Sequence, residues 1–411
     1  MSCQDEFAAY LREFQEFGKR TIEIPIRAVL SDDTTLEVPG FVNEYWTSAQ
    51  RAASPLHEVS YRACFKPQLP RFFIERLTQP GDRVYDPFMG RGTTLIEAAL
   101  LGRIPLGCDV NPLSVRLVRP RLRPPTLQAI TDRLKSIDLG STGEIREDLL
   151  VFYHPETLKA ITGLRQYLLE RSTAGALDPV DDWIGMVALN RLTGHSPGFF
   201  SVYTLPPNQA TSVTRQIRIN EKRKQVPPFR DIREIILKKS KQLLGEMGVA
   251  TRSGLEEMGA QAELLTSVSS STPQLKSDSV HLVVTSPPFL NIVQYATDNW
   301  LRCWFVGVDA SAVPITMTSR VARWREVMSE VLRELRRVLR PGGYVAFEVG
   351  EVSQAGVKLE EQVMLAGVVA GLKPEFVLIN DQKFTKTANC WGVDNNSKGT
   401  NTNRVVLLTK N

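Results

Sequence analysis

The chain has 411 residues, of which 42% are hydrophobic, and a formal net charge of +5. At about 150 residues a domain, this length predicts two or three domains, and the apolar content is sufficient for packed cores. No apolar stretch approaches the roughly 20 residues of a membrane helix, and the amino terminus lacks a signal-peptide pattern, so we expect a cytoplasmic protein with no membrane partner.

The cysteines and histidines predict neither a disulfide framework nor a metal centre. The five cysteines are scattered without Cys-x-x-Cys pairs, and the four histidines lack paired spacing. We therefore expect no bound metal. The excess of positive charge is small for a chain of this size, so it is compatible with a polyanionic partner without establishing one.

The first 56 residues predict structure but carry no chemical signature. Residues 5–18 have the apolar spacing of an amphipathic helix, and residues 21–26 alternate between apolar and polar side chains as a strand does. We expect this extension, residues 1–56, to pack on the domain that follows it.

Residues 83–94 predict a strand that runs into a glycine turn and then into a helix. Gly90 and Gly92 would let the backbone approach a ligand closely, and the helix would present free N–H groups. Asp86 stands at the tip of the strand, where its carboxylate can meet the ammonium group of an amino-acid moiety. The turn lacks the Gly-x-Gly-x-x-Gly spacing of dinucleotide sites and the Gly-Lys-Ser/Thr of P-loops, which argues against both.

A second strand, at residues 104–109, ends in Asp109. In a parallel sheet this carboxylate would lie beside the first turn, where the ribose diol of a bound ligand would be found. Two carboxylates at neighbouring strand ends therefore predict a site for a ligand that combines an amino-acid part with a ribose.

A long segment of different character follows. Residues 154–172 and 179–192 predict helices, and residues 215–241 contain ten basic side chains against three acidic ones. A basic run of this kind is either a solvated face or a surface that contacts phosphate groups. The residues that we expect to contact phosphate groups, should the second interpretation hold, are Arg215, Arg218, Arg223 and Lys224.

The apolar run 280–284 leads into Thr285-Ser286-Pro287-Pro288-Phe289. A short β-branched run predicts a buried parallel strand, and the prolines end it abruptly with carbonyl groups left unpaired. The Ser286 hydroxyl, these carbonyls and the Phe289 ring would then meet where open α/β sheets bind ligands. Such a set suits a planar heterocycle, whose exocyclic amino group would donate to the oxygen atoms. The alternative is an ordinary strand followed by a proline turn.

Together these segments resemble the amino-group DNA methyltransferases, which methylate cytosine N4 or adenine N6. Residues 86–94 are similar to the family's cofactor turn, Asp-Pro-Phe-x-Gly-Ser-Gly-Thr-Thr, with Arg91 in the position of the serine. Residues 286–289 match the catalytic tetrapeptide, Ser/Asp/Asn-Pro-Pro-Tyr/Phe. Segments that resemble the family's cofactor-covering segment, its later helix-to-strand turn and its closing hairpin are residues 65–69, 334–343 and 403–408.

The resemblance implies S-adenosyl-L-methionine as the cofactor. By position in the motifs, the cofactor-binding residues are Phe65, Lys66, Pro67, Asp86, Pro87, Phe88, Gly90, Gly92, Thr93, Thr94, Asp109 and Asn111. The catalytic residues are Ser286, Pro287, Pro288 and Phe289. Tyr295 follows the tetrapeptide closely, so it either stacks on the target base and contacts DNA or belongs to the buried face of a helix.

The implied fold is α/β, a Rossmann-like class I methyltransferase sheet with a largely helical inserted target-recognition domain. We predict an extension at 1–56, a cofactor-binding part of the catalytic domain at 57–119, the insertion at 120–255 and the rest of the catalytic domain at 256–411. This order, with the cofactor turn first, belongs to one permutation class of the family. The amino-acid sequence of the turn is instead typical of members in which the catalytic motif comes first.

The resemblance favours a sequence-specific DNA methyltransferase that acts on cytosine N4 of a base flipped out of double-stranded DNA, because Ser-Pro-Pro-Phe is commoner in that branch. It also implies a restriction-modification system, whose endonuclease need not bind the enzyme. Three alternatives stay open: adenine-N6 methylation on the same scaffold, guanine-N2 methylation of RNA, and an inactive methyltransferase-like subunit that binds DNA.

Overall fold

The fold is built on one nine-stranded sheet. The computed structural model describes residues 3–30, 32–47, 53–61, 64–140, 145–207, 210–245, 247–288, 295–313, 318, 320–350, 358–381 and 402–411. The strands are β1 (Ile22–Val29), β2 (Thr35–Asn43), β3 (Arg83–Asp86), β4 (Ile104–Asp109), β5 (Glu263–Thr266), β6 (Val280–Thr285), β7 (Leu339–Gly350), β8 (Lys373–Asp381) and β9 (Thr402–Thr409). Their order in the sheet is β1-β2-β8-β9-β7-β6-β3-β4-β5.

Most of this sheet is parallel. The neighbours β5, β4, β3, β6 and β7 all run in the same direction. Strand β9 is antiparallel to both of its neighbours, β7 and β8. This mostly parallel sheet confirms the predicted Rossmann-like α/β fold class.

Helices cover the sheet and fill the insertion. They are α1 (Cys3–Glu13), α2 (Gln68–Leu77), α3 (Thr93–Leu100), α4 (Leu113–Leu122), α5 (Leu127–Ser136), α6 (Pro155–Thr173), α7 (Pro179–Leu189), α8 (Val213–Arg223), α9 (Ile232–Leu244), α10 (Val249–Ala260), α11 (Tyr295–Val306), α12 (Val321–Val338) and α13 (Leu359–Val369). Short 3-10 turns occur at Pro55–His57, Glu147–Val151 and Ala310–Ala312.

The central strands are buried on both faces, as their continuous apolar runs predict. In β6, Leu282 and Val284 face a core that they share with α1 and α2. Val283 points to the opposite face, where it joins a core with α12 and α13. Because side chains alternate along a strand, one short run supplies both cores and fixes the register of the strand between the two helical layers.

The leading residues extend the sheet at its far edge. Strand β1 is antiparallel to β2, and β2 is parallel to β8. The side-chain oxygen of Asn380, at the end of β8, accepts hydrogen bonds from the backbone N–H groups of Tyr45 and Trp46 at 2.6 and 3.2 Å. The residues after β2 are thereby fixed to the carboxyl end of β8.

The helices that follow β4, from α4 to α10, are joined by turns and irregular segments and share one core with α3. The predicted boundary at residue 120 falls inside α4, where Pro120 is a residue of the last turn. Arg121 is fully buried beside it and donates to the carbonyl of Leu117. The domain limits themselves stay predictions.

Strands β3 and β6 are neighbours in the sheet although the whole insertion separates them in sequence. From β3 the chain proceeds to β4 and β5 on one side, and it then returns to β6 and β7 on the other. Ligands of open α/β sheets bind at the carboxyl ends of the strands where the order reverses in this way. We therefore expect a ligand to bind at the carboxyl ends of β3 and β6.

Candidate functional site

A cavity of about 260 Å³ opens at this point of the sheet. Gly90 of the predicted cofactor turn and Ser286 of the predicted catalytic tetrapeptide both line it. Of the predicted site residues, those that line this cleft are Phe65, Asp86, Phe88, Gly90, Thr93, Asp109, Asn111, Ser286, Pro287 and Pro288. Two motifs that are about half the chain apart in sequence thus share one cleft.

The turn between β3 and α3 depends on two glycines with left-handed backbone. Gly90 has φ +46° and Gly92, which caps the amino end of α3, has φ +75°. A Cβ atom on Gly92 would lie 2.4 Å from Cγ2 of Val118, so α4 leaves no space for a side chain there. The turn therefore brings the amino end of α3 to the cleft, where its free N–H groups favour a polar or anionic ligand.

Asp86 ends β3 as a buried carboxylate. Its Oδ1 accepts hydrogen bonds from Thr285 Oγ1 at 2.6 Å and from the Phe88 N–H at 3.0 Å. Burial nevertheless raises the pKa of Asp86 to about 7. A cation bound in the cleft would stabilise the ionised form of this group. The Thr285 hydroxyl also connects Asp86 directly to the strand that carries Ser286.

Asp109 ends β4 and holds the turn in place. It accepts hydrogen bonds from the backbone N–H groups of Gly90, at 2.9 Å, and Asn111, at 2.8 Å. Burial raises the pKa of its carboxyl group. Each carboxylate oxygen can accept more than one hydrogen bond, so Asp109 can still receive the hydroxyl groups of a ribose. The Asn111 side chain donates to Tyr61 Oη at 3.3 Å, another residue of the cleft wall.

The remaining predicted cofactor residues do not line the cleft. Thr94 Oγ1 donates to the carbonyl of Val284 at 3.0 Å, which joins α3 to β6. The carbonyl of Pro87 accepts a hydrogen bond from Ser269 Oγ at 2.6 Å. Lys66 and Pro67 directly precede α2, and burial lowers the pKa of the Lys66 ammonium. These residues shape the cleft without being part of its lining.

Arg91, which replaces the family's serine, holds the preceding segment against the turn. Its guanidinium donates to the carbonyls of His57, Val59 and Phe65 at 3.4, 3.1 and 3.3 Å. Serine is too short to make these three contacts. The sequence showed the substitution, but nothing in it indicated that Arg91 would hold the segment that carries Phe65 and Tyr61.

The tetrapeptide leaves β6 as predicted, and Phe289 lies outside the described residues. The Ser286 hydroxyl hydrogen-bonds to Glu348, a buried carboxyl on β7 whose pKa is raised by burial. Glu348 Oε1 also accepts a hydrogen bond from Asn403 Nδ2 at 3.0 Å. The sequence analysis missed Glu348. A single glutamate within the apolar run of residues 344–349 was the signal that could have revealed it.

The predicted DNA-contacting residues lie apart from the cleft lining. Arg215, Arg218 and Arg223 are exposed on α8, and Lys224 is exposed just after it. The Arg223 guanidinium also lies 3.8 Å from the centroid of the Tyr203 ring. Tyr295 is the first residue of α11, and its side chain lies outside the described part of the structure.

Two other basic residues of the 215–241 run have internal partners. Arg233 donates to the carbonyls of Leu134 and Ile137 at 2.9 and 2.8 Å. Lys239 is 8% exposed and pairs with Glu58 at 2.9 Å. Because α9 packs into the helical core, Arg233 and Lys239 are satisfied by neighbouring carbonyls and a carboxylate, whereas Lys238 and Lys241 on the same helix are exposed.

Within the described ranges, no group of three His, Cys, Asp or Glu side chains has the arrangement of a metal site. The helices of the same ranges are each too short or too polar to cross a bilayer.

Proteins similar to this chain are methyltransferases. Residues 15–119 match the model of the N6/N4 methyltransferase family, described as DNA methylase. Over 87 residues, 21% of the chain, it is 33% identical to the Type II methyltransferase M.MjaII of Methanocaldococcus jannaschii, of which the match covers 16%. Over 195 residues, 42% of the chain, it is 28% identical to a tRNA (guanine(10)-N2)-dimethyltransferase of Methanothermobacter thermautotrophicus, of which the match covers 54%.

Among solved structures, the rRNA methyltransferase aviRa of Streptomyces viridochromogenes aligns with 89% of this chain and 96% of its own length, at 13% identity and a TM-score of 0.33. A TM-score this low adds nothing to the fold assignment, which rests on the strand order. The chain spans about a sixth and about half of the two curated relatives, at 16% and 54%. Residues 15–119 are therefore similar to the N6/N4 amino-group DNA methylases, and this similarity implies S-adenosylmethionine as the cofactor.

Proposed function

We propose that this chain is a DNA methyltransferase that transfers a methyl group from S-adenosylmethionine to N4 of a cytosine flipped out of double-stranded DNA. The shared cleft carries the proposal. Gly90 and Ser286 line one cavity, and their strands β3 and β6 are paired neighbours. Direct transfer between two ligands requires both in one cleft at contact distance, and a cavity lined by residues of both motifs supports the proposal.

The cofactor side of the cleft suits S-adenosylmethionine. Asp86 would attract the ammonium group of the methionine part, and Asp109 would accept hydrogen bonds from the ribose hydroxyls. Phe65 and Phe88 give this side an apolar wall, and burial of the two carboxylates strengthens their attraction for a cation. When bound, the cofactor supplies a methyl group on a sulfonium, with a neutral thioether as the leaving group.

Ser286 and Pro287 would prepare the target nitrogen. The lone pair of an exocyclic amino group is conjugated with the ring, so the nitrogen is a poor nucleophile. Two acceptors that bind both N–H groups favour a pyramidal nitrogen whose lone pair can reach the methyl carbon. The Ser286 hydroxyl and the Pro287 carbonyl are the proposed acceptors, and Phe289 would stack on the ring. Fixed dipoles of this kind stabilise the charge that develops on the nitrogen.

Glu348 supports the acceptor role of Ser286. Because the Ser286 hydroxyl donates its proton to Glu348, the lone pairs on its oxygen remain for the amino group. As the new C–N bond forms and the C–S bond breaks, the nitrogen becomes cationic and must lose a proton. The hydrogen bond from Ser286 to Glu348 offers a path for that proton, and the raised pKa makes Glu348 a better acceptor.

Double-stranded DNA would be held by α8. A base inside a duplex is inaccessible, so it must be flipped out at a cost of a few kcal/mol. The exposed cations of α8 and its end would offset that cost through phosphate contacts. The setting of a restriction-modification system, with a separate endonuclease, follows from the family resemblance and from relatives named Type II methyltransferases.

Guanine-N2 methylation of RNA is the second candidate. The match to a tRNA (guanine(10)-N2)-dimethyltransferase covers 42% of the chain, twice the 21% covered by the match to M.MjaII. Serine at position 286 favours cytosine N4 over both adenine N6 and guanine N2, whose enzymes usually carry aspartate there.

Identification of the methylated nucleoside tests the proposal. The protein is incubated with methyl-labelled cofactor and, in separate reactions, with mixed-sequence duplex DNA or bulk tRNA, and the nucleosides are then resolved by mass spectrometry. We expect labelled N4-methyldeoxycytidine from DNA and no label in tRNA. N6-methyldeoxyadenosine would correct the target base, and labelled N2-methylguanosine from tRNA would replace the proposal with the second candidate.

A further inference from the structure

Trp324 contacts the tetrapeptide from a helix, whereas Glu348 contacts it from β7. It lies in the first turn of α12, is 3% exposed and forms part of the cleft wall. Its indole Nε1 donates a hydrogen bond to the carbonyl of Pro288 at 3.2 Å. The sequence analysis gave this tryptophan no role.

A rigid element holds the indole. Along α12, Met328, Val331 and Leu335 are buried in the core that the helix shares with the sheet. The position of Trp324 is therefore set by a helix of 18 residues packed against β7, and not by a loop.

The tetrapeptide needs outside anchors because of its prolines. Neither Pro287 nor Pro288 has an N–H group, so hydrogen bonds can hold the backbone of these two residues only through its carbonyls. Glu348 binds Ser286, and Trp324 binds the Pro288 carbonyl. The indole engages the Pro288 carbonyl, next to the Pro287 carbonyl that is the proposed acceptor for the target amino group.

We propose that Trp324 is a positioning residue for methyl transfer: its indole N–H fixes the carbonyl directions of the tetrapeptide and so aims the acceptor of Pro287. This inference rests on the proposed methyltransferase function. A displacement of about 1 Å in a reacting geometry can cost about a hundredfold in rate, so the loss of one such anchor is measurable.

Two substitutions separate the hydrogen bond from the packing. Trp324→Phe keeps an aromatic ring but removes the donor. Trp324→His removes the six-membered ring but keeps an N–H at the same position of the five-membered ring. A positioning role predicts that the histidine variant is the more active of the two, whereas a packing role predicts the reverse order.

The matched control is Trp183→Phe. Trp183 is also fully buried and also donates through Nε1, to Ser240 Oγ at 3.0 Å, but it lies among the helices of the insertion. Its substitution removes a buried indole hydrogen bond without touching the tetrapeptide.

The experiment measures single-turnover methyl transfer to duplex DNA at saturating cofactor, cofactor affinity by calorimetry, and the thermal midpoint of each full-length variant. We expect Trp324→Phe to lower the rate at least tenfold, with cofactor affinity within twofold of wild type. Trp324→His should lower the rate less. Trp183→Phe should leave the rate unchanged, although we expect its thermal midpoint to be similar to that of Trp324→Phe.

A wild-type rate in Trp324→Phe, or a phenylalanine variant faster than the histidine variant, would overturn the inference alone. If Trp324→Phe does not fold, the histidine variant decides: a tenfold weaker affinity for cofactor together with a slow rate would indicate a packing role. A wild-type protein that binds cofactor but methylates no DNA would overturn the proposed function, and this inference with it.

Discussion

Among single residues, Asp86 makes cofactor binding sensitive to pH. Burial raises its pKa to about 7, with a further contribution from the charge of Asp109. Above this pH the carboxylate is ionised and attracts the ammonium group of the cofactor, and below it the carboxyl is protonated and the attraction is lost. We expect cofactor affinity, measured by calorimetry between pH 8 and pH 6, to fall by up to about tenfold per unit below the pKa.

Asp86→Asn is the matching variant, since it keeps the shape of the side chain. It should bind cofactor weakly at pH 8 and lose most of the pH dependence, leaving only the part that belongs to Asp109, whose pKa burial also raises. A wild-type affinity that does not change over this pH range would contradict the role of Asp86.

Glu348 gives a second prediction about a single residue. In Glu348→Gln the new amide can donate to Ser286 and turn the hydroxyl proton toward the cleft, where it repels the target amino group. We expect the single-turnover rate to fall by about a hundredfold, similar to the loss of one transition-state contact, with cofactor affinity unchanged. Unchanged transfer in this variant would show that Ser286 accepts without help from Glu348.

At the level of elements, the exposed cations of α8 should set the salt dependence of DNA binding. Replacing Arg215 and Arg218 with alanine removes two of these cations, so the slope of log affinity against log salt should become shallower by about 2. The matched control replaces Lys276 and Arg340, which are exposed at the amino ends of β6 and β7, on the sheet edge opposite to the cleft. Equal slopes for wild type and the α8 variant would contradict phosphate contacts by Arg215 and Arg218.

Arg91 joins the cofactor turn to the segment 57–65, and its replacement should destabilise both. Arg91→Ser restores the family residue but leaves the carbonyls of His57, Val59 and Phe65 without this donor. The loss of hydrogen bonds at partly buried groups costs about 1–3 kcal/mol, so we expect a lower thermal midpoint and weaker cofactor binding. Hydrogen exchange of residues 53–61 should accelerate in this variant. Unchanged exchange would show that Arg91 does not hold this segment against the cofactor turn.

For the whole molecule, the sequence predicted what depends on neighbouring residues. The glycine turn, the strand before it and the abrupt end of β6 are local patterns, and the described structure has all three. The α/β class followed from the same strands and from the family resemblance. The shared cleft of Gly90 and Ser286 could be expected only through the strand order, because nothing local connects segments separated by a helical insertion.

The contacts that the sequence did not predict all cross between distant elements. Three such residues reach the site: Glu348 from β7, Trp324 from α12 and Arg91 from the cofactor turn. The sequence around each is compatible with a solvated surface or with a core, so it does not identify the partner. Conversely, Lys239 belonged to a basic run but pairs internally, because the packing of α9 decided its partner. Side-chain partners between elements depend on the tertiary arrangement, which periodicity and composition do not encode.

The central claim is that one cleft combines a cofactor carboxylate with a separate set of acceptors for the base. Parallel measurements on Asp86→Ala and Ser286→Ala test it most directly, with cofactor affinity from calorimetry and methyl transfer to DNA from labelled cofactor. We predict that Ser286→Ala keeps near-normal affinity but loses most transfer, while Asp86→Ala loses affinity and regains transfer at high cofactor concentration. Full transfer by Ser286→Ala, or unchanged affinity in Asp86→Ala, would contradict this account.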